Sequence, residues 1–307
     1  MKKSFFYIVI AGLLWGTSGI FAPLLSPYGF TAFQLATVRG SISFLCIALY
    51  ALIRDRKLFL ANWKQLLLFF GIGVTVYLTA AFYYLSMSLT STSTSVVLMY
   101  VAPVYVSVFS AIFFGERFSK LKVFAVIGML LGCCLVSGIF GGVRFEPIGL
   151  LFGVLSGVAY AAYNILTKLA MRWGCSPTST TLYGFLFMAL VGMCTSRPIG
   201  IFAGVAADPV RTIPLLIGLG ICTCVLPYFL YTLAMKGLPA GTASALGIIE
   251  PMSATVYSIL FFHERPNLLS YVGILLILIA VVALGAGERQ RDSEETAEKS
   301  VLTEMKE

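Results

Sequence analysis

The sequence predicts an all-α integral membrane fold, with ten transmembrane helices arranged as two inverted five-helix repeats. Three observations carry that expectation. Of the 307 residues, 59% are hydrophobic and only 11% are charged, against about 25% charge in a soluble domain. Apolar runs of about 20 residues, the length needed to cross a bilayer, recur from Phe5 almost to the end. The second half of the chain also repeats the first. No polar linker divides the runs, so a single membrane domain is the simplest organisation.

Charges, prolines and polar clusters bound the runs at 5–25, 31–53, 65–87, 92–114, 119–140, 147–171, 178–196, 211–235, 240–262 and 268–287. Backbone groups cannot go unpaired in lipid, and the runs are too long and too uniformly apolar for barrel strands, so each is a helix. The first run follows Met1-Lys2-Lys3 and could be taken for a signal peptide. Its apolar stretch is too long for one, and no A-x-A-like cleavage site follows it. Residues 288–307 form a charged tail, expected as a solvated cytoplasmic extension.

The net charge of +8 does not describe a nucleic-acid footprint, because the basic residues sit between apolar runs instead of on one face. With the N-terminus on side A, that side receives Lys2, Lys3, Arg54, Arg56, Lys57, Lys64, Arg117, Lys120, Lys122, Lys168, Arg172, Lys236, Arg289 and Arg291. Side B receives only Arg144, Arg197, Arg211 and Arg265. By the positive-inside rule side A is cytoplasmic and both termini lie there, with the chain a multi-pass protein of the cell membrane. The seven cysteines show neither disulfide nor metal spacing and read as small buried hydrophobes.

At an offset of 148 residues Tyr83, Leu85 and Met87 fall on Tyr231, Leu233 and Met235; Thr94 and Leu98 fall on Thr242 and Leu246; and Pro103 falls on Pro251. Phe113-Phe114-Gly115-Glu116-Arg117 lies over Phe261-Phe262-His263-Glu264-Arg265. At an offset of 145, Gly12 and Trp15 fall on Gly157 and Tyr160. Five helices per half is an odd number, so the second half enters the membrane inverted. The expected units are residues 1–140 and 141–287. Inverted repeats are an architecture of secondary transporters, in which one half rocks against the other around a central site.

Trp15-Gly16 in helix 1, Arg39 within helix 2, a proline in helices 4 and 9, and the Gly/His-Glu-Arg endings together resemble the drug/metabolite transporter superfamily, in its EamA-type permease branch. The resemblance covers residues 5–287. It implies that helices 1–4 and 6–9 surround a central cavity with helices 5 and 10 outside it. It implies no particular substrate, since members carry amino acids, amines, sugars and other metabolites.

Glu250 is the one acid inside an apolar run, about 15 Å into helix 9, and Arg39 lies about 12 Å into helix 2 from the opposite end. A charge at that depth costs at least about 2.5–3.5 kcal/mol, so each needs a partner, water or a ligand. The two could pair structurally or line a site. Pro103 and Pro251 each remove an amide donor, and the carbonyls four residues back, on Met99 and Gly247, are expected to lose their intrahelical partner. Aromatic candidates follow the repeat: Trp15, Tyr160, and Tyr105, which matches Ser253. Tyr77 and Tyr84 share a face of helix 3, as Tyr228 and Tyr231 do roughly on helix 8. Asn164 is a buried polar group in helix 6. For any single tyrosine, packing in the core is the competing explanation.

Gly149, Gly153 and Gly157 form a small-residue ridge, as do Gly12/Gly16 and Gly128/Gly132, and close helix packing explains them. No Walker loop is present, and His263 alone makes no metal site. No cofactor is expected, and too few His, Asp or Ser residues cluster for a membrane enzyme. The expected activity is transport of a small amphipathic metabolite through the bilayer by alternating access, with a proton as coupling ion if Glu250 exchanges one. A channel-like pore or a solute-sensing membrane protein is the alternative.

Overall fold

A computed structural model describes residues 2–90, 92–115, 119–137, 139, 146–263 and 267–304. The motif residues Glu116-Arg117 and Glu264-Arg265, and Arg144 of side B, lie outside the described residues. Helices dominate and no strand occurs among the described residues. Ten helical segments are long and apolar enough to cross a membrane: Lys3–Tyr28, Phe33–Arg54, Trp63–Leu89, Thr94–Phe114, Lys120–Ser137, Pro147–Arg172, Pro177–Thr195, Pro209–Ala234, Ala240–Phe262 and Leu268–Gly287. They are spans 1 to 10 below.

Polar residues at the run boundaries start the helices by satisfying the first free amides. Thr31 and Gln34 form a reciprocal capping box at span 2, and Asn62 and Gln65 form another at span 3. Pro147, Pro177 and Pro209 occupy the first turns of spans 6, 7 and 8, where a missing amide costs nothing. Spans 4 and 9 end alike. Gly115 and His263, equivalent in the repeat, both adopt the left-handed conformation that caps a helix, with φ of 66° and 55°.

Several spans are not continuous helices. Span 1 breaks at Thr17, between Lys2–Gly16 and Ser18–Leu25. Span 4 divides into Thr92–Met99 and Ala102–Phe114, and span 9 into Ala240–Leu246 and Ile249–Phe262. Span 8 contains a π-helical stretch, Ile221–Val225. A further short helix, Ile199–Ala207, precedes span 8, where the sequence suggested only a connection. The last helix runs through the polar tail to Glu304, past the membrane span, so the tail continues a helix.

The packing obeys the repeat. Spans 1 and 8 pack together as spans 6 and 3 do, spans 1 and 9 as 6 and 4, and spans 2 and 8 as 7 and 3. Spans 2 and 7 meet across the middle, and spans 5 and 10 pair at the periphery. Glycines permit the closest of these approaches. A Cβ on Gly157 would lie 3.0 Å from the Leu98 carbonyl oxygen, and one on Gly12 would lie 3.7 Å from that of Leu246, the equivalent residue. The Gly149-Gly153-Gly157 ridge therefore packs on spans 3 and 4, and Gly132 packs on Gly273 and Ile277 of span 10.

Candidate functional site

The two breaks in spans 4 and 9 meet near the middle of the bundle, and Glu250 lies there, in the first turn of Ile249–Phe262. Its Oε2 accepts a hydrogen bond of 2.6 Å from the hydroxyl of Tyr100, the residue at the break in span 4. Tyr83 and Tyr160 lie in its electrostatic neighbourhood. Glu250 is half-buried.

Arg39 makes different bonds. Its Nε donates to Cys224 Sγ at 3.2 Å and its Nη2 to the Thr223 carbonyl at 3.3 Å. Both acceptors belong to the π-helical stretch of span 8, whose wider turn presents them to span 2. Tyr84 and Tyr228 flank the guanidinium. Arg39 also keeps accessible surface. No Arg39 nitrogen comes within 4.0 Å of a Glu250 oxygen, so the two do not form the direct structural pair that the sequence left open. A guanidinium carries five donors, and two contacts leave capacity for a further acceptor.

The aromatic side chains between these charges form a connected group. The Trp15 ring lies 5.2 Å from those of both Tyr228 and Tyr231, and Tyr163 lies 5.6 Å from Tyr228 and 6.0 Å from Tyr160. Trp15 Nε1 is buried without a hydrogen-bond partner. Asn164 is fully buried, donating to the Tyr160 carbonyl at 2.7 Å and accepting from the Tyr231 hydroxyl. Both ends of its amide are used within the protein. Tyr77 is buried and bonds to Thr195 of span 7. Tyr105 packs at Gly157 of span 6, its Cε2 3.4 Å from where a Cβ would stand.

Ring contacts thus link Tyr160 through Tyr163 to Tyr228 and Trp15, with Glu250 near Tyr160 and Arg39 near Tyr84 and Tyr228. Asn164 bonds to Tyr160 and Tyr231 of that group, whereas Tyr77 bonds to Thr195 and Tyr105 packs at Gly157. Pro103 and Pro251 stand just after the breaks, but the freed carbonyls do not simply open to a ligand. The Gly247 oxygen accepts from the Glu250 amide at 3.0 Å, because the chain closes a tighter turn, and the Met99 oxygen faces Gly157 of span 6. Sequence reasoning missed Tyr100, Tyr83, Tyr163 and the Thr223-Cys224 acceptors. Tyr100 stands three residues before Pro103, and that spacing was the one available signal. Nothing in the sequence marked a π-helix at Ile221–Val225.

The two charges come from different halves and neither is repeated. At the offset of 148 Glu250 falls on Ala102, and at 145 Arg39 falls on Gly184. The packing is asymmetric in one further respect. On side A, Ala240–Leu246 is buried in full against Ala102–Phe114, whereas the equivalent pair on side B, Thr92–Met99 and Ile249–Phe262, makes no comparable contact.

Comparisons with known proteins agree with this architecture. The sequence profile of the EamA-like transporter family matches residues 2–138 and 147–286. An uncharacterized transporter of Bacillus subtilis, YwfM, is 25% identical over 96% of this chain and 97% of its own length. An uncharacterized transporter of Archaeoglobus fulgidus is 28% identical over 90% of this chain and 93% of its own. One solved structure, 18% identical, has a TM-score of 0.76 and covers 94% of this chain and 99% of that one, a likeness of fold alone. With ten apolar spans, two repeated halves and a profile match to each half, this multi-pass membrane protein belongs to the EamA-like transporter family.

Proposed function

We propose that the protein is a secondary transporter that carries a small amphipathic metabolite, such as an amino acid, an amine or a related compound, across the cytoplasmic membrane. Residues 1–140 and 141–287 act as the two rocking halves of an alternating-access cycle, and both termini face the cytoplasm. The observation that carries the reading is the pair of buried charges. One base from the first half and one acid from the second each lie beside tyrosines and bond to other groups, without an ion pair of their own. Opposite charges held apart on a partly accessible surface are costly unless a ligand or water completes them. Trp15, Tyr84, Tyr160 and Tyr228 supply the apolar faces for the ligand's body. The closure seen on side A and the looser packing on side B support a cycle with one side shut at a time.

Reconstitution in proteoliposomes tests this directly. Saturable uptake and counterflow of an amino acid or amine are expected in the wild type, and neither a pore nor a sensor gives both. Glu250→Gln preserves size while removing the charge, so accumulation should fall at least about tenfold, the loss expected when a charge-assisted contact goes. If Glu250 carries a proton, counterflow survives in the variant; if it binds the substrate cation, counterflow fails too. Wild-type rates in folded Glu250→Gln would overturn both roles.

A further inference from the structure

Spans 4 and 9 are each broken near the midplane, and one hydrogen bond joins the two breaks across the halves. The Tyr100 hydroxyl donates to Glu250 Oε2 at 2.6 Å. The repeat does not supply a twin for it. At the offset of 148 Tyr100 corresponds to Ile248 and Glu250 to Ala102, and neither of those side chains can donate or accept. The bond also adjoins the one contact that is closed on a single side: Ala240–Leu246 ends two residues before Ile249–Phe262 begins, and its buried length packs on Ala102–Phe114 just past Tyr100. Little slack exists between the span 9 break and span 6. A Cβ on Gly247 would lie 3.0 Å from the Tyr160 hydroxyl.

We propose that the Tyr100–Glu250 hydrogen bond couples occupancy of the central site to closure of side A. A ligand ammonium that takes the Glu250 carboxylate displaces the Tyr100 hydroxyl, and Ala240–Leu246 is then released from Ala102–Phe114. The inference rests on the reading of Glu250 as a ligand-facing residue. A hydroxyl on a carboxylate is a charge-assisted bond, but an ammonium brings a full opposite charge and more donors, so it can replace the hydroxyl. A ligand moves a conformational equilibrium only by its differential affinity for the two states, and the bond present in one state and exchanged in the other supplies that difference. Tyr100 is accordingly a positioning residue that acts through Glu250.

Hydrogen–deuterium exchange on the full chain in lipid nanodiscs reads the coupling at amides 240–248, with span 10 as the internal reference. Tyr100→Phe removes only a hydroxyl and should raise exchange at 240–248 about tenfold, leaving span 10 unchanged. Glu250→Gln, whose amide oxygen still accepts, should raise it less. The double variant should match Tyr100→Phe alone, because both changes remove one interaction. Saturating 2-phenylethylammonium should raise exchange there in the wild type and add nothing in either single variant. Additive single effects, unchanged exchange in Tyr100→Phe, or a full response to the probe in that variant would overturn the proposal. So would a wild type that the probe stabilises against heat without releasing 240–248. If the cycle of variants behaves as expected while proteoliposomes show no saturable flux, the transport reading fails and the coupling stands.

Discussion

Burial of polar side chains divides the central residues into those that are complete and those that are not. Asn164 is complete: its amide donates to the Tyr160 carbonyl and accepts from the Tyr231 hydroxyl at zero exposure. Removing it takes away the amide oxygen to which the buried Tyr231 hydroxyl donates. Asn164→Ala should therefore lower stability by about 1–2 kcal/mol, measured as a lower thermal midpoint of the purified protein, and a variant as stable as wild type would show that Tyr231 finds another acceptor. Arg39 is incomplete, with one soft sulfur acceptor and one carbonyl for five donors. Arg39→Lys keeps the charge but cannot span Cys224 and Thr223 in fork geometry. Ligand affinity should drop about tenfold by isothermal titration, and unaltered affinity would mean that charge alone is recognised. The depth of Arg39 and Glu250 was legible because a lone charge in an apolar run is conspicuous. Their separation was not, since side-chain reach and the turn that presents Cys224 arise only in three dimensions.

Short breaks and small residues decide how the elements fit. Span 1 runs against the Ile249–Phe262 helix of span 9 through Gly16, where a Cβ would stand 2.0 Å from Ser253 Oγ and 2.8 Å from the Ala254 amide. Ser253 Oγ is itself engaged with the Gly12 carbonyl at 3.1 Å, so it cannot move away freely. Gly16→Ala should cost about 1–3 kcal/mol, whereas Gly19→Ala, with its nearest neighbour at 3.4 Å, should be tolerated. Thermal unfolding of the two variants side by side checks this, and equal stability would show that the span 1–9 contact adjusts. The sequence marked the glycine spacing and the two prolines. It did not mark the break at Gly247–Ile248 as a turn that consumes its own carbonyl, because a proline specifies a lost donor and leaves open which amide next approaches the carbonyl.

Over the whole molecule the arrangement is nearly twofold, and the exception lies in the half-helices of spans 4 and 9. The pairs 1–8 and 6–3, 1–9 and 6–4, and 2–8 and 7–3 recur faithfully, while the half-helix contact on side A lacks its counterpart on side B. The proposed orientation rests on loop charge: if both termini lie in the cytoplasm, a reporter active only outside it, fused after Glu307, should give no signal. Strong activity would reverse the orientation and leave the packing intact. The sequence alone determined the helical class, the ten spans, the repeat and the midplane charges, because the bilayer imposes length, hydropathy and backbone pairing on each segment separately. Only the tertiary structure decided that Arg39 and Glu250 stand apart, that Tyr100 bonds to Glu250 across the halves, and that one half-helix pair packs without a comparable counterpart. Those features depend on which faces of distant helices meet, and residues equivalent in the repeat can meet different partners on the two sides.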